Sequence, residues 1–151
     1  MIAEFITHLA TPCNRAARRL GYLRELIAIR SRHLRNHDAW QPHLDASRKA
    51  ILQAASRCER HDTVVVMGAG LLLDVPLVEL AERFEKIVLL DVAILRSTAK
   101  TLSKFPNVEW RYSDVTGVID RISRAGKGIE LPAPIFDPAS LAEADLLVST
   151  N

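Results

Sequence analysis

Two cysteines, Cys13 and Cys58, are all that the 151 residues contain. That number excludes a small secreted scaffold held by disulfides. No stretch reaches the roughly 18 consecutive apolar residues that a spanning helix needs, so a membrane role is not expected. The opening run Met1-Ile2-Ala3-Glu4-Phe5-Ile6-Thr7-His8 lacks a basic start and is interrupted by Glu4, so it does not read as a secretory signal. With no address signal and few cysteines, the expected location is cytoplasmic. Aromatic residues make up only 5% of the chain. A single sign of charge is also missing, since the formal net charge is +2.

Catalytic clusters are equally scarce. No Ser/His/Asp arrangement stands out. His33 and His37 are four apart with His43 nearby, but no acid stands between the first two, as a metalloprotease helix would require. No metal site is expected. Trp40 and Trp110 read as packing residues.

What is present is an ordinary globular composition, 48% hydrophobic and 25% charged. A chain of this length can bury a core without staples. Its charge is divided unevenly: residues 1–60 carry a balance of +6 and residues 61–151 a balance of −4. A basic half can face a polyanion such as RNA. No aromatics interleave with the arginines as stacking platforms, so a solvated helical face is the simpler reading.

Residues 1–60 read as a helical lead-in or cap. Between Asn14 and Arg35 there is no proline, and Leu20, Leu23, Leu26, Ile27 and Leu34 recur near helical spacing. Asn36-His37-Asp38 reads as a turn. A second helix follows from Trp40 to about Cys58, with Pro42 early in it and Leu44, Ile51 and Ala55 on its apolar side.

Residues 61–151 alternate strands and helices. Thr63–Met67 and Lys86–Asp91 are short apolar runs of the kind buried in parallel sheets, and Val108–Tyr112 alternates. Asp145–Thr150 is a fourth strand. Helices are expected after Asp74, which stands at an N-cap position with Pro76 just inside, over Ala93–Lys104, and over Val115–Ile122. Gly126–Pro138, with three prolines, is a loop. The β-α-β-α-β-α-β order implies right-handed crossovers and a parallel sheet covered on both faces.

In such sheets ligands bind beyond the carboxyl ends of the strands. Gly68 and Gly70 end the first strand, where glycines allow a tight turn and close backbone approach. Asp91 ends the second strand, close to the interval after the glycine turn at which an acid can hold a ribose diol. Asp114 ends the third strand and follows Asp91 at the same interval by which Asp91 follows Gly68. It stands within reach of an adenine amino group, with Val115 or Tyr112 against the base.

Over residues 62–151, the run Val64-Val65-Val66-Met67-Gly68-Ala69-Gly70, then Val88-Leu89-Leu90-Asp91, then Tyr112-Ser113-Asp114-Val115, then Asp145-Leu146-Leu147-Val148-Ser149-Thr150-Asn151 resembles the class I S-adenosylmethionine-dependent methyltransferases. The resemblance implies an α/β Rossmann-like three-layer sandwich, preceded by the helical segment. It implies S-adenosylmethionine as cofactor, with Gly68, Ala69 and Gly70 against its methionine part. Asp91, followed by Val92, would hold the ribose, and Asp114, followed by Val115, would lie by the adenine. Asn151 would face a methyl acceptor that the sequence does not identify. The third glycine of the family's turn would stand at Leu72, and its acid two residues before the first glycine is Val66 here.

Two alternatives stand beside this. One is an NAD-type dinucleotide-binding domain, for which a third glycine would stand at Leu73. The other is a non-catalytic module that contacts a partner or RNA through its basic helices. Because the resemblance covers four strands of a sheet that usually has seven, the chain is expected to be a fragment of a longer protein. An unpaired apolar edge at or beside the fourth strand would then favour a homodimer.

Overall fold

The computed structural model describes residue 11, residues 13–125, residue 141 and residues 143–150. The Gly126–Pro138 loop and Asn151, the expected acceptor contact, lie outside the described residues. The elements in chain order are α1 (Arg15–Arg19), α2 (Tyr22–Arg35), α3 (His37–Ala55), β1 (Thr63–Met67), α4 (Leu77–Arg83), β2 (Lys86–Asp91), α5 (Arg96–Leu102), β3 (Val108–Tyr112), α6 (Ile119–Ala125) and β4 (Leu146–Ser149).

The four strands form one all-parallel sheet in the order β3-β2-β1-β4, with helices around it. This is the expected α/β, Rossmann-like arrangement with N-terminal helices. Valines and isoleucines suit the middle strands because both faces are covered. Val64, Val66, Ile87 and Leu89 point to one face and join Leu77 and Leu80 of α4, Leu102 of α5 and Ile51 and Ala55 of α3 in the main core. Val65 and Val88 alternate to the opposite face and are buried there as well.

The helical half departs from its expected boundaries at one glycine. The apolar stripe through residues 14–35 predicts a single helix, but Gly21 at φ +88° divides it into α1 and α2. A left-handed residue ends one helix and redirects the next, and glycine takes that conformation without a Cβ penalty. Asn14 caps α1, accepting from the Ala16 and Ala17 backbone N–H groups at 2.7 and 3.4 Å. Leu23, Leu26 and Ile27 of α2 then pack with Ala93 and Leu95, which follow β2, as a second small core. That packing seats the helical half against the loop carrying Asp91. The third helix, α3, starts at His37 rather than Trp40, so Pro42 falls in its second turn, where it removes one backbone donor.

One carboxylate ties two strand starts together, and another is held along the outer strand. Asp145 accepts from the backbone N–H of Asp62 and of Thr63, both at 2.8 Å, so the start of β4 is tied to the start of β1. These bonds, foremost that from Thr63, hold the Asp145 carboxyl below its ordinary range. On β3, Arg111 grips Glu109 with two hydrogen bonds of 2.6 and 2.7 Å, and Lys86 lies 3.5 Å away. Among the described residues no helix is long and apolar enough to cross a membrane.

Candidate functional site

The sheet order puts β1 between β2 and β4, so the chain reverses its direction of winding beside β1. A crevice opens at the carboxyl end of the strands at such a point. Here it is a cavity of about 590 Å³, lined by the Gly68–Gly70 turn, Asp91 to Ala93, Asp74 and Thr150, and roofed by α2 and α3 through Tyr22, Glu25, Trp40 and His43.

The turn is closely built. Gly68 has φ +72°, and a Cβ there would lie 2.5 Å from the Thr150 carbonyl oxygen. Thr150 holds the turn from the other side: its N–H donates to Met67 O at 3.0 Å and its hydroxyl to Gly68 O at 2.8 Å. Gly70 has φ +44°, and a Cβ there would meet only ordinary contacts, including Asp91 Oδ2 at 3.7 Å. Leu72 has φ +58°, a left-handed conformation that glycine adopts more readily. Its side chain is half-buried against the main core.

The backbone N–H groups of this turn are directed inward. Those of Gly68 and Ala69 donate to Leu90 O at 2.9 and 3.3 Å, and that of Gly70 to Asp91 Oδ2 at 2.6 Å. All three of these N–H groups are thus bonded within the protein. Asp91 also accepts from Val92 N at 2.6 Å and Ala93 N at 3.2 Å, both on Oδ1. A carboxylate has about four acceptor sites, so one remains, on Oδ2. Cys13 packs beside this loop, its Sγ 3.9 Å from Val92 O. Burial pushes the Cys13 thiol up, Arg18 draws it partly back, and Asp91 adds to the rise.

The cavity brings together Gly68, Ala69, Gly70, Asp91 and Val92. Asp114 and Val115 are not among its lining residues. Asp114 instead caps the turn into α6, accepting from Thr116 N at 3.1 Å, Thr116 Oγ1 at 2.6 Å and Ile119 N at 2.7 Å. Asp74 differs as well. The helix after the turn begins at Leu77 with Pro76 as its cap residue, so Asp74 caps nothing. It faces the cavity, half-buried and without a hydrogen bond or ion pair among the described residues.

Sequence reasoning missed Thr150, Tyr22, Trp40 and His43. Thr150 was within reach, because it follows a strand end at the reversal point. The other three come from helices far upstream, and Trp40 read as a packing residue. It does contact His33, with ring centroids 5.8 Å apart, while also lining the cavity.

Three carboxylates line the cavity, those of Glu25, Asp74 and Asp91, and no lysine or arginine among the described residues does. Glu25 is paired with Arg32 at 2.5 Å; Asp74 and Asp91 face no such partner. The arginines expected to contact a polyanion lie elsewhere. Arg15, Arg18, Arg19 and Arg124 line a separate cleft between α1 and α6, with no aromatic among the described residues there. Among the described residues no group of three or more His, Cys, Asp or Glu side chains could hold a metal ion. The chain matches no known family, no curated protein and no solved structure.

Proposed function

We propose that this chain binds S-adenosylmethionine in the cavity beside the Gly68–Gly70 turn and serves as a methyltransferase or methyltransferase-like cofactor domain. The observation that carries the reading is the sign of the cavity. Carboxylates line it without lysine or arginine among the described residues, and the turn's N–H groups are already bonded. Such a lining attracts a cationic ligand and repels a pyrophosphate. A sulfonium cofactor that also carries an ammonium group suits it. A dinucleotide does not, since it needs free N–H groups at a helix N-terminus directly after the turn, whereas α4 starts only at Leu77.

The residues fit the parts of the cofactor as follows. Asp91 retains one acceptor position for a ribose hydroxyl, with Val92 beside it. Asp74 and Asp91 supply the negative field for sulfonium and ammonium. Trp40 and Tyr22 offer ring faces to a cation or an adenine. The bound cofactor would supply an electrophilic methyl group; the protein's task is to hold donor and acceptor in line. That task needs no acid–base pair, which agrees with the scarcity of such clusters in the sequence.

Calorimetric titration of the full chain tests this. S-adenosylmethionine should bind, and the uncharged sulfide S-adenosylhomocysteine should bind more weakly. Asp74→Asn should narrow that gap. Binding of NAD in place of S-adenosylmethionine, or equal affinity for sulfonium and sulfide, would overturn the proposal.

A further inference from the structure

The same leucine loop that borders the acidic cavity borders a second one of opposite character. This cleft, of about 530 Å³, lies between α2, the Leu71–Leu73 loop, α4 and α5. Its polar lining is Arg30 and His33 from α2, Arg48 from α3 and the hydroxyls of Ser97, Thr98 and Thr101 from α5, with Glu79 the only carboxylate among the described residues.

The two guanidinium groups differ in a useful way. Arg48 is fixed: its Nη2 donates to Leu73 O at 2.5 Å and its Nη1 to Asp45 Oδ1 at 3.4 Å. Arg30 makes no hydrogen bond or ion pair among the described residues, so all its donors are available. The rest of the cleft is apolar. Val75 and Leu77 are buried in its floor, and Leu34 and Val78 stand on its walls. At 63% and 52%, these two are the most exposed large apolar side chains among the described residues. The cleft thus carries exposed apolar surface beside its guanidinium groups.

We infer that this cleft binds an amphipathic anion, a small molecule with a carboxylate or phosphate head and an apolar body. The head pairs with Arg30, whose planar fork matches either oxyanion, and the Ser97 and Thr98 hydroxyls add donors, while that of Thr101 donates to Ser97 O at 3.2 Å. The body covers Leu34 and Val78. The proposal does not depend on S-adenosylmethionine binding, because the two cavities carry opposite charge and separate polar groups.

Calorimetric titration of the full chain with decanoate, decyl phosphate, decylammonium and inorganic phosphate tests it. Decanoate or decyl phosphate should bind, and the tighter of the two identifies the head. Decylammonium and inorganic phosphate should each bind at least about tenfold more weakly. Arg30→Glu and Leu34→Asp, both exposed substitutions, should each weaken the tighter anion by about tenfold or more. Both should leave S-adenosylmethionine titrations unchanged, while Asp74→Asn should do the reverse. Equal binding of decanoate and decylammonium, inorganic phosphate binding as well as decyl phosphate, or full affinity in Arg30→Glu would each overturn the assignment.

Discussion

Asp91 and Asp114 close neighbouring strands of one parallel sheet, and the step between them along the chain equals that from Gly68 to Asp91. Their surroundings are nevertheless different. Asp91 ends β2, directly beside β1, and its carboxylate accepts from Gly70 across the gap between the two strand ends. Asp114 follows β3, which is two strand spacings, about 10 Å, from β1. The register pairs Asp91 with Tyr112, so Asp114 also lies two residues further along. There it turns back on its own chain to cap α6. Equal spacing in sequence thus gives one residue bridging two loops at the cavity and another serving its own turn. Adjacency in the sheet, rather than distance along the chain, decides which acid lines the cavity.

The largest expected effect falls on the turn against which Asp91 is set. Gly68→Ala would force a Cβ to within 2.5 Å of the Thr150 carbonyl at a left-handed φ. Strain and overpacking together should cost about 3 kcal/mol or more. Gly70→Ala meets only the left-handed φ, because its nearest contacts lie at 3.6 Å and beyond. It should cost about 1–2 kcal/mol. Urea unfolding of the two variants measures the difference. Equal losses would mean that Thr150 yields and that the clasp around Gly68 is loose.

Much of the sheet half was legible in the sequence. The bounds of β1, β2 and β3 agree with their sequence runs, because each is a compact β-branched or alternating segment closed by a glycine, an acid or a turn. The site was legible only in part. Gly68, Ala69, Gly70, Asp91 and Val92 could be placed from one strand order. The roof could not, because Tyr22, Trp40 and His43 reach the cavity only through the packing of Leu23, Leu26 and Ile27 on Ala93 and Leu95. That contact is nonlocal and has no periodic signature. The Leu71-Leu72-Leu73 run, out of place in a loop, becomes intelligible once it separates two cavities and packs Leu72 on the core. The division of α1 from α2 turned on the single backbone angle of Gly21.

A paired substitution at the two strand ends sharpens the contrast. Asp91→Ala leaves the Gly70, Val92 and Ala93 N–H groups without their acceptor, which should cost about 2 kcal/mol or more. S-adenosylmethionine affinity should fall by about tenfold or more. Asp114→Ala removes a cap and should cost about 1 kcal/mol, with S-adenosylmethionine affinity changed by less than about twofold. Thermal unfolding and calorimetry separate the two effects. A loss of affinity in Asp114→Ala as large as in Asp91→Ala would return the adenine role to Asp114 and contradict the lining of the cavity.

The smallest effect concerns the other acid of β3. Glu109 is exposed on the outer strand, where charged side chains protect a sheet edge from pairing with another chain. The Arg111 grip, helped by Lys86, lowers its carboxyl to about 2 from an ordinary 4.5. Since the folded value is the lower one, the pair supports folding above the ordinary carboxylate range, and that support fades as pH falls from about 4.5 towards 2. A carbon-detected titration of the Glu109 carboxyl should show its midpoint near 2, and in Arg111→Ala the midpoint should return most of the way to the ordinary value. A midpoint near 4.5 in the unaltered protein would show that solvent screens the pair. The outer strand would then be kept apart from other chains by free charges rather than by a fixed pair, while Asp91 would remain the strand-end acid held in place by backbone N–H groups.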